Sequence, residues 1–173
     1  FLDTLDHDRA PSPRPESPNV SVEGLQSQKV RFERIDAGVS PDEKLIVLTH
    51  HRSDLEVTVA FRSDPAAAGP TVAVTIVGGG GRPIASASTL NDGFIPGRNA
   101  EGVGEVRLRI PEIPLLKGRY WVNFYLMCDR GLHVFDQAEY VFELDIRQES
   151  SEIGVVSLPH RWIDLRWRTT RGA

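Results

Sequence analysis

Residues 119–127, Arg-Tyr-Trp-Val-Asn-Phe-Tyr-Leu-Met, alternate so regularly that a β-strand is the only regular element that sorts them into two coherent faces. With a period of two, Tyr120, Val122, Phe124 and Leu126 point one way, and Trp121, Asn123 and Tyr125 the other. The same pattern returns in 55–61, where Leu55, Val57, Val59 and Phe61 form the apolar set, and in 104–110, with Val106, Leu108 and Ile110. Both read as half-buried antiparallel strands. No stretch sustains a 3.6-residue period over three turns. Gly, Pro, Asn and Asp clusters divide the chain into strands near 28–35, 44–50, 55–62, 71–78, 83–88, 104–110, 119–127, 132–135, 138–147 and 154–158. The expected fold is all-β, an antiparallel β-sandwich of immunoglobulin-like or jelly-roll type with about eight to ten strands.

Strand 119–127 also carries the first functional signal. One face supplies core residues, whereas a Trp, an amide and a second Tyr in succession are unusual on a solvated sheet. Sugars are bound by stacking their CH faces on aromatic rings and by pairing their hydroxyls with amides, carboxylates and guanidinium groups, so Trp121, Asn123 and Tyr125 suit a carbohydrate platform. Neighbouring strands would add outward residues according to sheet order. Arg107 and Arg109 are the candidates for a charged cap on the glycan, because guanidinium binds phosphate or carboxylate in bidentate fashion; Glu56, Thr58, Arg62, Glu105, Glu139, Glu143 and Asp145 are the other outward residues. The competing reading packs Trp121 under a loop or against a partner subunit.

Composition narrows the classes. At 173 residues with 40% hydrophobic side chains, the chain supports one domain with a real core. A net charge of −4 argues against a nucleic-acid partner, which needs a basic surface to displace counterions. The single cysteine, Cys128, has no internal disulfide partner and fits a reducing compartment. No run reaches the roughly 18 apolar residues of a membrane span.

Other motifs favour ordinary structure. Gly78–Gly81 leads through Arg82-Pro83 into another strand, so it reads as a hairpin; a phosphate loop would end in Gly-Lys-Ser/Thr and open a helix. His50 and His51 are adjacent at a strand end and are expected to diverge, without further ligands for a metal; no metal and no cofactor is expected. His133 near Asp129 and Asp136 lacks a nucleophile elbow. Glu139 and Glu143 share a strand face but lie about 13 Å apart, beyond the carboxylate spacing of glycosidases.

Four features in order, the Gly78–Gly81 hairpin, a strand ending Ser88-Thr89, the segment Ile110-Pro-Glu-Ile-Pro-Leu-Leu-Lys-Gly-Arg-Tyr120 and the closing Gly154-Val-Val-Ser-Leu-Pro-His-Arg-Trp162, resemble the C-terminal domain of Wzt-type proteins, the ATP-binding subunits of O-antigen polysaccharide ABC transporters. The resemblance spans roughly residues 26–164. It departs at Ser88-Thr89, where Asn-Thr is often found. It implies a dimeric, cytoplasmic β-sandwich at the inner face of the bacterial inner membrane, which recognises the non-reducing end of a lipid-linked glycan before export and has no catalytic residues of its own. Its partners would be an upstream nucleotide-binding domain and the membrane-spanning transporter subunit.

Domain organisation agrees with that expectation. Residues 11–18 hold four of the twelve prolines, so 1–25 reads as a Pro-rich linker from an upstream domain, 26–164 as the sandwich and 165–173 as a basic tail. In the closing motif, His160, Arg161 and Trp162 either close the sandwich, with Trp162 capping the core edge and Arg161 pairing with an acid, or belong to the binding face; the structural role is the favoured expectation. Three functions remain open at this level: a non-catalytic carbohydrate-recognition domain, a structural dimerisation or adaptor domain, and a β-sandwich sugar hydrolase.

Overall fold

The structure, a computed structural model, describes residues 30–40 and 43–163; the expected linker (1–25) and basic tail (165–173) lie outside them. Among the described residues, eight strands form two facing sheets. They are β1 (Arg31–Asp36), β2 (Leu45–Thr49), β3 (Leu55–Arg62), β4 (Thr71–Val77), β5 (Pro83–Ser88), β6 (Val103–Ile110), β7 (Gly118–Met127) and β8 (Val134–Arg147). One sheet has the order β1-β3-β6 and the other β2-β8-β7-β4-β5. This is the expected all-β sandwich.

The alternating sequence explains the core. Leu55, Val57, Val59 and Phe61 of β3 meet Tyr120, Val122, Phe124 and Leu126 of β7, and all eight are at most 3% exposed. Each buried large side chain stabilises the fold by roughly 1.5–3 kcal/mol through removal from water. Phe61 pairs across the ladder with Gly104, and a Cβ at that glycine would collide with the Phe61 ring. Glycine there makes room for a fully buried phenylalanine. The β4–β5 hairpin turns through Gly78–Gly81, with Gly80 and Gly81 at φ of 73° and 72°, in the left-handed region that suits glycine. The expected hairpin is therefore present.

Three sequence expectations change. The stretches near 132–135 and 138–147 are one strand, β8, interrupted by a bulge and not by a turn. Among the described residues 154–158 forms no strand; only an isolated antiparallel bridge joins Val156 to Leu115. The sandwich is also not wholly antiparallel, since β2 runs parallel to β8. These two strands are distant in sequence, so no hairpin constrains their direction.

The histidine pair is a further correction. His51 adopts φ of 54°, which swings its ring alongside that of His50 at a centroid separation of 3.9 Å. The rings converge, and they do so on the closing segment. His50 is 7% exposed, with Nδ1 2.9 Å from the Leu115 carbonyl and Nε2 3.2 Å from Glu152 Oε2. Ser157 Oγ lies 2.9 Å from His51 Nε2. The Ser150 hydroxyl, with His50, holds the Glu152 carboxyl below its ordinary pKa. Among the described residues no group of three or more His, Cys, Asp or Glu is placed to hold a metal. Trp162 does not cap the core: it is 90% exposed, in a T-shaped contact with the His160 ring, whereas Ile113, Leu115 and Leu116 are buried.

Candidate functional site

β7 runs through the middle of the five-stranded sheet, so its outward residues have neighbours on both sides. Register places Trp121 between Val77 of β4 and Glu143 of β8, and Tyr125 between Ala73 and Gln137. Asn123 lies beside Thr75. One strand further out, Ser88 pairs with Ala73 and Ser86 with Thr75. Small side chains thus form a low shelf on the β4–β5 side, above which the aromatic residues of β7 stand.

The other flank is built by the bulge. Between Val122↔Phe142 and Phe124↔Ala138, β8 spends four residue steps where β7 spends two, and Tyr140 takes φ of 53° within the excess. Asn123 makes that backbone tolerable. Its Oδ1 accepts the Tyr140 N–H at 2.7 Å, and its Nδ2 donates to the Tyr125 hydroxyl at 3.4 Å. The bulge turns the Tyr140 ring towards Trp121, edge to face, with centroids 6.4 Å apart. Below Trp121 on the same strand face, Arg119 pairs with Glu143 at 3.1 Å. A half-buried Trp, a Tyr at its edge, a guanidinium and a carboxylate therefore share one patch. That set can stack on an apolar sugar face and pair with hydroxyls or an anionic substituent.

The five residues singled out from the sequence do not converge. Trp121 and Tyr125 lie on this face as expected. Asn123 is only 5% exposed, and its amide is committed to Tyr140 and Tyr125, so it positions the aromatic residues and offers little to a ligand. Arg107 and Arg109 belong to β6, in the three-stranded sheet, away from the Trp121 face. Arg109 is engaged with Asp54 at 2.7 Å and Glu56 at 3.3 Å. The Glu112 N–H and Arg109 together hold the Asp54 carboxyl below its ordinary pKa, and Asp54 in turn raises that of Arg109. This clasp ties the end of β6 to the start of β3. Of the other outward candidates, Glu143 and Asp145 lie on β8 beside β7, whereas those of β3 and β6 do not.

Two members of the patch escaped sequence reasoning. Tyr140 sits one residue out of phase with Glu139 and Glu143, and only the bulge brings it to the outer face. Arg119 opens the alternating stretch itself, so its parity with Trp121 was a signal that could have found it. The Asn123 arrangement makes a definite expectation: Asn123→Ala leaves the part-buried Tyr140 N–H without its acceptor and should cost about 1 kcal/mol of folding free energy, read as a lower denaturant midpoint.

The class defined by these features is an eight-stranded β-sandwich with a polar-aromatic patch on its larger sheet. Among solved structures, its fold is similar to that of the C-terminal domain of Wzt, with a TM-score of 0.59 and 12% identity over 79% of this chain and 84% of that one. A Niemann-Pick type C2 protein from Japanese carpenter ant aligns with a TM-score of 0.48 and 12% identity, over 72% of this chain and 98% of its own. No protein-family model matches the sequence. No curated protein matches it either. At 12% identity the Wzt likeness is one of fold.

Proposed function

We propose that this chain is a non-catalytic carbohydrate-recognition domain that binds the non-reducing end of a lipid-linked O-antigen polysaccharide and couples it to export by an ABC transporter. The observation that carries the reading is the Trp121 patch: an aromatic ring half-open to solvent, flanked by Tyr140, the Arg119–Glu143 pair and a shelf of Ala73, Thr75, Ser86 and Ser88. The fold shared with the Wzt C-terminal domain supports the choice of glycan and of transporter. In this reading the domain works at the cytoplasmic face of the inner membrane, beside a nucleotide-binding domain and the membrane-spanning subunit. Titration with the host's own polysaccharide tests it. Intact polymer should bind, and polymer trimmed by an exoglycosidase at its non-reducing terminus should not; equal binding of both, or of neither, overturns the assignment.

The same reading includes a homodimer, in which two weak sites act at high effective concentration on neighbouring glycans. The closing segment supports it. Ile153, Leu158 and Trp162 are 98%, 78% and 90% exposed within one short stretch whose hydrogen bonds to Pro114, Leu116, Tyr120, Gln148 and the two histidines leave these three side chains in water. Light scattering should report twice the monomer mass, and Leu158→Asp should return a folded monomer whose melting temperature no longer depends on protein concentration. A monomeric parent chain would remove this part of the proposal.

A further inference from the structure

The two sheets are unequal, and the inequality leaves an opening. Three strands face five, so the β5 side of the larger sheet extends past β6, the last strand of the smaller one. The inward residues there are small: Ala85 and Ala87 share the inner face with Ile76 and Val74. A cleft of about 410 Å³ results, within the range of pockets that hold small molecules. Val59, Val106 and Leu108 wall it on one side and Val72, Ala87 and Phe124 on the other.

The chemistry of the walls restricts the occupant. The lining is mainly hydrocarbon; its polar residues are Ser88, at the end of β5, Thr89 and Asp92 of the following loop, and Arg107, an outward residue of the edge strand β6. Ser88 and Thr89 already accept the Asn91 and Val72 N–H groups at 3.2 and 3.1 Å. A sugar ring inside would lose its water without gaining partners. An aliphatic chain would lose nothing. The loop over the mouth is itself apolar and open to solvent, with Phe94 55% and Ile95 82% exposed. Arg107, unlike Arg34, Arg62, Arg109 and Arg119, has no ion-pair partner among the described residues.

We propose that the cleft between β5 and β6 is a binding site for one aliphatic chain of an amphiphile, with an anionic head beside Arg107. The site is separate from the Trp121 patch, since it opens between the sheets and the patch lies on the outer face of the larger one. Its occupancy does not depend on the glycan reading.

Octanoate, nonanoate and decanoate, each below its micellar concentration, can be titrated into the isotope-labelled chain while the methyl resonances of Val59, Val72 and Leu108 are followed. Saturable shifts are expected at those methyls, with affinity rising about fourfold per added methylene, the factor expected for burying each in hydrocarbon. Ala87→Trp, or Leu108→Trp from the opposite wall should the first variant fold poorly, fills the cleft and should weaken decanoate at least tenfold. Arg107→Glu should weaken decanoate and leave decanol unchanged. Absence of saturable shifts, affinity independent of chain length, or full binding by a folded tryptophan variant would overturn the site. Equal effects of Arg107→Glu on decanoate and decanol would overturn the placement of the head.

Discussion

Phe61→Ala should cost about 3–5 kcal/mol of folding free energy, the usual consequence of truncating a fully buried phenylalanine in a core that relaxes only in part. Phe61 is completely buried at the centre of the three-stranded sheet, and its ring occupies the space that Gly104 leaves open. Nothing opposite can move in, because a glycine has no side chain to rotate into the void. For a domain whose total stability lies in the ordinary range of about 5–15 kcal/mol, the loss is a large share. Denaturant melts should show a lower midpoint with the slope retained, and thermal melts a drop of roughly 6–20 °C. A change below about 1 kcal/mol would mean that the two sheets do not pack face to face through this residue.

The core was legible because each of its strands advertises itself locally. In β3 and β7 the apolar residues recur at every second position, and the structure buries those positions. Pairing between strands was not legible, since it depends on contacts distant in sequence. Arg107 and Arg109 could be recognised as outward residues of β6, but only the order β1-β3-β6 shows that they face away from Trp121. The parallel alignment of β2 with β8 is hidden for the same reason.

The candidate site was half legible. Trp121 and Tyr125 follow from parity on one strand. Asn123 has the same parity, yet its fate is decided across the ladder, where the excess residues of β8 present an N–H that its short amide accepts. The residue chosen as a ligand partner is instead what holds Tyr140 in a left-handed conformation. The closing segment misled for another reason. Its β-branched pair Val155-Val156 resembles a strand, but Pro159 follows and a single bridge to Leu115 is its only ladder contact among the described residues.

The central claim is that the Trp121 face binds the glycan, and the same substitution logic that probes the core probes it in reverse. Trp121 is half-buried on the outer face, so its removal leaves the Phe61 and Phe124 layers intact. Its expected contribution lies in binding, where a stacked aromatic anchor is worth ~2 kcal/mol or more, or about thirtyfold in affinity. Calorimetric titration of the host polysaccharide into the parent chain and into Trp121→Ala, with melting temperatures taken on the same samples, is the most direct measurement. The account predicts saturable binding by the parent, at least a thirtyfold loss in the variant, and closely similar melting temperatures. Undiminished binding by Trp121→Ala would contradict it, as would a variant that loses affinity only because it melts as early as Phe61→Ala.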